Sequence, residues 1–243
     1  MEVGKQRIWQ QAATALRRSR VVTGAFFGFA PAKGDRIQWD LTTLALRKAL
    51  LTTARAQMRI FEIGTGPYAL LPLFLESRRI CTIHACDINE AYVRSAQATV
   101  RERGSSVRVF QSDIFSEVRD TYDVIFSNTL YIPRPVGNKH RFDTVHERES
   151  DWCGGDTGYE FIERLLAEAP AHLSPHGSLL IGFNSMYLDR DAVLMRARAA
   201  GFTHRTTTRP VLNPARVVHL EYTGKEEIPD KQPSVSPYNE VTP

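Results

Sequence analysis

From residue 59 onward the chain alternates two hydrophobic rhythms. Short apolar runs rich in β-branched and aromatic residues occupy Arg59–Ile63, Ile80–Cys86, Val107–Gln111, Tyr122–Ser127 and Ser178–Phe183. Such runs predict strands buried on both faces. Between them, apolar residues at three- and four-residue spacing predict helices over Tyr68–Ser77, Asn89–Arg103, Gly158–His172 and Asp189–Ala200. Strict alternation of this kind predicts a parallel, doubly wound sheet with helices on both faces. The rhythm changes at the end: Phe202–Arg209 and Arg216–Tyr222 are strand-like runs joined by a short loop holding Pro210, Asn213 and Pro214. A parallel crossover needs a dozen residues or more, so this last pair must be antiparallel. The expected architecture is therefore α/β, a Rossmann-like seven-stranded sheet that is parallel except at its terminal pair.

Upstream, Lys5–Arg20 predicts a helix that ends in a basic cluster, Arg17, Arg18 and Arg20. Val21–Gly34 mixes aromatics with glycines and a proline, which reads as a loop or hairpin. Its Phe26, Phe27 and Phe29 would either cover a ligand or pack the loop down. Asp40 is a good cap for a helix over Leu41–Ala54. The tail from Lys225, rich in proline, serine and charge, reads as disordered. These boundaries divide the chain into an N-terminal helical cap (1–54), the sheet domain (55–224) and a tail (225–243).

Composition narrows the picture modestly. With 243 residues, 42% hydrophobic and 24% charged, the chain suits one large soluble domain. No apolar run nears the roughly 20 residues that span a bilayer, so no membrane partner is expected. The arginine-rich N-terminus lacks the apolar core of a secretory signal and reads as an amphipathic helix rather than a transit peptide. Three cysteines, Cys81, Cys86 and Cys153, are odd in number and lack metal-ligand spacing. Reduced thiols in a cytoplasmic protein without a metal site are the simpler reading. The net charge of +4 is spread out; it permits contact with nucleic acid without demanding it.

Candidate chemistry collects at the carboxyl ends of the predicted strands, where ligands bind in open parallel sheets. The first strand ends in Glu62 and the turn Gly64-Thr65-Gly66, followed by Pro67, a residue favoured in the first turn of a helix. A strand, a glycine turn and a helix N-terminus would aim amide groups and a positive dipole end at a ligand. Alone, Gly64-x-Gly66-x-x-Ala69 with Asp87 downstream also fits a dinucleotide fingerprint. The next ends read Cys86-Asp87-Ile88-Asn89, Ser112-Asp113-Ile114 and Ser127-Asn128-Thr129-Leu130-Tyr131. Each polar residue alone could be a helix cap; together on one edge they form a site.

In this order the residues resemble the motifs of class I S-adenosylmethionine-dependent methyltransferases, over Arg59 to Tyr222. The resemblance implies that the methionine part of S-adenosylmethionine lies on Gly64 and Gly66 and that Asp87 accepts both ribose hydroxyls. Ile88 would pack on the adenine and Asp113 would take its amine. Glu62, Thr65, Ile114 and Asn128 complete the implied cofactor set. Asn128 to Pro133, followed by Gly154-Gly155-Asp156-x-Gly158, resembles the methyltransferases that modify a glutamine side-chain amide in release factors and a ribosomal protein. Their Asn-Pro-Pro-Tyr motif is shared in part by adenine-amine methyltransferases. It implies that Asn128 and Tyr131 position a nitrogen for in-line methyl transfer.

The chain departs from that pattern in two places. Thr129 and Leu130 replace both prolines, removing the fixed φ that would aim the residue-129 carbonyl. The N-terminal part is one helix and a loop where those enzymes carry a sizeable helical domain, although Asp40-x-Thr42 stands where an acid–threonine pair would be. A different acceptor, including a small molecule methylated on nitrogen or oxygen, remains open, as does a non-catalytic binding module. The polar stretch Arg134–Gly155 reads as a long substrate loop, with His140 and His146 as weaker candidates for a base and His84 as a core residue.

Overall fold

The computed structural model describes residues 15–31, 39–78, 81–142, 148–210 and 213–224. The first 14 residues, His146 and the tail from Lys225 lie outside them, and with them most of the expected N-terminal helix. The chain orders as α1 (Arg20–Phe27), α2 (Leu41–Thr53), β1 (Arg59–Ile63), α3 (Leu70–Glu76), β2 (Thr82–Asp87), α4 (Glu90–Glu102) and β3 (Arg108–Gln111). Then follow β4 (Tyr122–Asn128), α5 (Arg134–Lys139), α6 (Glu160–Glu168), β5 (Leu173–Asn184), α7 (Arg190–Ala199), β6 (Phe202–Thr208) and β7 (Ala215–Tyr222).

The strands form one sheet in the order β3-β2-β1-β4-β5-β7-β6. β1, β2, β3, β4 and β5 pair in parallel, while β7 pairs antiparallel with both β5 and β6. The reversal of strand order at β1 and β4 puts the crevice for a ligand beside the turn after β1. Alternate side chains leave the sheet on opposite faces. Ile60, Val124, Phe126, Leu180 and Val217 pack with Leu46, Leu50, Phe74 and Ala96 of the helices on one side. Phe61, Ile125, Leu179, Ile181 and Val218 pack with Ile162, Leu165, Val193 and Ala197 on the other. Two-sided burial is why these strands read as continuous apolar runs.

Three local expectations are corrected. Residues 21–27, within the stretch expected as loop or hairpin, belong to helix α1: Ser19 caps it by accepting from the Val22 N–H at 3.4 Å, and Gly28 ends it with φ +79°. Phe27 and Phe29 are buried and Phe26 lies edge-on to Trp39 at 5.3 Å, so these aromatics pack the segment down. The stretch 134–155 is not a bare loop. Among the described residues it holds α5 and a 3-10 turn at Glu149–Asp151, and its base is closed by a bridge between Ile132 and Cys153. Finally, the helix after the glycine turn begins at Leu70 rather than Tyr68, capped by Ala69 at φ 47°, so Pro67 belongs to the turn. His84 is half-buried and bonded to the Tyr122 hydroxyl at 2.9 Å.

Candidate functional site

The glycine turn is built from its neighbour strand. The N–H groups of Gly64 and Thr65 both donate to the carbonyl of Cys86, each at 2.9 Å, and the Gly66 N–H donates to Asp87 Oδ2 at 2.9 Å. The amides of these three residues are therefore already engaged within the fold, which takes them out of the expected amide cradle. What the glycines supply is shape: both have positive φ, +74° and +65°, and a Cβ on either would meet nothing within 4 Å. The turn is a bare floor open to the rim.

Three carboxyl groups border that floor. Glu62 is buried and accepts from the Thr65 hydroxyl at 2.5 Å; burial pushes its pKa up to about 8. Asp87 is also buried, with Oδ1 accepting from the Asn89 N–H at 2.9 Å. Burial raises its pKa against those two backbone bonds, and Asp151 adds a further upward push. Asp113 follows Ser112, whose N–H bonds the Asp87 carbonyl at 3.1 Å, so both acids share one edge. Its oxygens accept from Arg164 at 3.3 and 3.2 Å. Beside Asp87, the apolar side chain of Ile88 is 50% exposed. Ile114 has φ 50° and turns its side chain into the core, leaving only its backbone near the rim.

The acceptor oxygens of Asp87 and Asp113 suit hydroxyls and an amine better than a pyrophosphate, which calls for donors. The arrangement fits S-adenosylmethionine: an open glycine floor, acceptor oxygens for hydroxyls and an apolar plate for a base. Asp113 would serve the adenine amine while sharing its oxygens with Arg164.

A second cluster, the candidate acceptor side, is assembled around Asn128, at the end of β4. Its Nδ2 donates to Asp40 Oδ1 at 3.1 Å and to Thr43 Oγ1 at 3.3 Å. Its Oδ1 is buried and has no partner. The Tyr131 hydroxyl donates to Asp40 Oδ2 at 3.2 Å. Burial and the neighbouring Asp40 carboxylate hold the Tyr131 phenol well above its ordinary pKa, so it stays protonated. Asp40 reaches these groups because α2 sits tightly on β5. Asn128 pairs in register with Gly182, and a Cβ at Gly182 would lie 2.9 Å from both Thr42 and Leu46.

The missing prolines are replaced by hydrogen bonds and glycine contacts. Thr129 donates to the Gly182 carbonyl twice, from N–H at 3.0 Å and from Oγ1 at 2.7 Å. Beneath it, a Cβ at Gly154 would lie 2.6 Å from the Leu130 carbonyl oxygen, and one at Gly158 would lie 2.8 Å from that of Tyr131. The glycines after the loop let it lie flat against the 129–131 backbone. Tyr187 stands 6.0 Å from Tyr131, and Phe142 bridges Tyr187 to Trp152 at 6.5 and 5.8 Å, giving the acceptor side an aromatic wall. From the same loop, Asp151 accepts from the Tyr92 hydroxyl at 2.8 Å and so lies over the Asp87 end. His140 is exposed at the end of α5 and meets none of these groups. Among the described residues no cluster of His, Cys, Asp or Glu could hold a metal ion, and no helix is long and apolar enough to cross a membrane.

Seven strands in this order form the Rossmann-like fold found in methyltransferases. Residues 36–147 match the family described as methyltransferase small domain. A ribosomal RNA small subunit methyltransferase C from Vibrio parahaemolyticus is 33% identical over 142 residues, 58% of this chain and 36% of the relative. A release factor glutamine methyltransferase from Shewanella oneidensis is 28% identical over 174 residues, 69% of this chain and 59% of the relative. The chain thus spans between about a third and three fifths of the length of these two relatives. In fold it is similar to a methyltransferase from Pyrococcus furiosus, with TM-score 0.62 and 24% identity, covering 88% of this chain and 98% of that one.

Proposed function

We propose that this protein transfers a methyl group from S-adenosylmethionine to a nitrogen of a planar amide or amine, with Asn128 and Tyr131 positioning the acceptor. When bound, the cofactor supplies a methyl group on a positively charged sulfur. One observation carries the reading: Asn128 Oδ1 is buried without a partner, although its own Nδ2 is fully engaged. An unpaired buried acceptor costs about 1–3 kcal/mol, so a site that keeps one has a use for it.

An amide or aromatic-amine nitrogen is a poor nucleophile because its lone pair is delocalised. Asn128 Oδ1, accepting one of its N–H bonds, would turn that lone pair out of the plane and toward the methyl. Beside it, the Tyr187 ring, 6.0 Å from that of Tyr131, gives the planar group a surface. Positioning alone supplies several kcal/mol of barrier reduction in well-oriented sites. The similarity to a release factor glutamine methyltransferase supports an amide acceptor, and that to a ribosomal RNA methyltransferase supports a planar base.

The test combines calorimetry with radiolabelled methyl transfer into a fractionated extract of the source cell. Asp87→Ala should weaken S-adenosylmethionine binding by about tenfold or more, since it removes a buried double acceptor. Asn128→Ala should keep cofactor binding and lose about 100-fold or more in transfer. Transfer at the wild-type rate by Asn128→Ala would overturn the proposal, and binding of NADH in place of S-adenosylmethionine would overturn the cofactor.

A further inference from the structure

We infer that Asp40 sets the hydrogen-bond polarity of the acceptor site, so that the site selects an acceptor bearing two N–H bonds over one bearing a hydroxyl. This rests on the nitrogen-transfer reading above and deepens it.

An ionised carboxylate only accepts hydrogen bonds, so every group turned toward it must donate. Asp40 Oδ1 takes the Thr43 N–H at 2.7 Å, the Thr43 hydroxyl at 2.8 Å and Asn128 Nδ2 at 3.1 Å. Its Oδ2 takes the Tyr131 hydroxyl at 3.2 Å. The Thr43 hydroxyl gives its proton to Asp40, so its oxygen can only accept the second Asn128 hydrogen, at 3.3 Å. Both amide hydrogens of Asn128 are thereby committed. Flipping that amide would set its oxygen against the carboxylate, so Oδ1 must be the atom left over, and it is the atom found buried and unpartnered. Tyr131 is fixed by the same logic. With its proton on Asp40, its oxygen has only lone pairs to offer, one of them shared with Thr42 at 3.5 Å.

One carboxylate at the start of α2 thus converts two ambivalent side chains, an amide and a phenol, into acceptors. An NH2 group has a hydrogen for each. A hydroxyl has one hydrogen and would pair only one of the two acceptors, a difference that sites built on buried polar groups discriminate strongly. Asp40 is a positioning residue: its contacts are with Asn128, Thr43, Thr42's neighbour Tyr131 and its own helix, not with the reacting atoms.

Asp40→Asn separates this role from helix capping, because asparagine caps as well as aspartate does. It replaces two acceptor oxygens with one and adds two hydrogens that compete for Asn128 Oδ1 and Tyr131. The expected result is an unchanged melting temperature and unchanged S-adenosylmethionine binding, with kcat for methyl transfer lowered about 10- to 100-fold. In NMR, the side-chain amide resonances of Asn128, assigned by their loss in Asn128→Asp, should shift. Tyr131→Phe is the second variant; it leaves the cap and the Asp40–Asn128 bond in place, and kcat should fall about tenfold. Unmoved Asn128 resonances, or wild-type kcat in Asp40→Asn, would overturn the inference, as would an O-methylated product from the wild type. The NMR arm needs no acceptor, so it reads Asp40's hold on Asn128 even if transfer to nitrogen proves wrong; that failure would show instead as transfer indifferent to Asn128.

Discussion

Glu62 sits enclosed at the end of β1 with a threonine hydroxyl as its hydrogen-bonding partner, and desolvation raises its pKa to about 8. In the unfolded chain it titrates near its ordinary value, about 4.3. The folded state therefore holds the proton more tightly. Its contribution to stability is fully present below the unfolded pKa and is lost as pH rises through the folded one. Between about pH 4.5 and 8 this one group should lower stability by up to ~1.4 kcal/mol per pH unit. Glu62→Gln should flatten that part of the profile, measured by urea denaturation at successive pH values; an unchanged slope would assign it elsewhere. The rim acids and Asn128 were legible in the sequence because each directly follows an apolar run, and strand ends share an edge. Asp40's wider role was not. Its cap on Thr43 is local and explains the residue by itself, whereas Asn128 and Tyr131 lie 88 and 91 positions further along. The use of the turn amides was hidden for the same reason, since their acceptor is the carbonyl of Cys86 on the next strand.

At the scale of elements, the strands were readable because burial on both faces leaves an uninterrupted apolar run. Helix α1 was not, because Gly24 and three phenylalanines within ten residues resemble a loop, and tertiary packing of Phe27 on Phe74 and Trp39 overrides propensity. The segment after β4 is the informative case. The resembled motif stiffens it with two prolines that this chain lacks, and in their place stand two bonds from Thr129 to Gly182 and the close approach of Gly154 and Gly158. Gly154→Ala would push a methyl group to 2.6 Å from two carbonyl oxygens, those of Leu130 and Gly158. Backbone cannot retreat as a flexible side chain can. The variant should lose about 1–3 kcal/mol of stability and most of its transfer activity, while cofactor binding changes little. Thermal unfolding and calorimetry on the same sample would check this, and selective loss of cofactor binding would contradict it.

For the molecule as a whole, the sheet divides labour along its carboxyl edge. The β1–β2–β3 side carries the glycine floor and the rim acids, and the β4–β5 side carries Asn128 and the aromatic wall. The described residues of 134–152 form an arch with Asp151 at one side and Phe142 and Trp152 at the other. The feet of that arch are fastened to each other. The Gly154 N–H meets the Ile132 carbonyl at 3.0 Å, the Arg134 N–H meets that of Gly155 at 2.8 Å, and Ile132 bridges Cys153. Replacing 135–151 by a short glycine–serine linker should leave the melting temperature within a few degrees and abolish transfer, by differential scanning calorimetry and the methyl assay; collapse of the fold would show the arch to be structural.

Such a clasp makes the intervening residues an interchangeable cartridge. Two chain positions held side by side can receive a segment of different length or composition without disturbing the packed layers beneath. One insert could then be swapped, in nature or at the bench, while the glycine turn and the rim acids stay untouched.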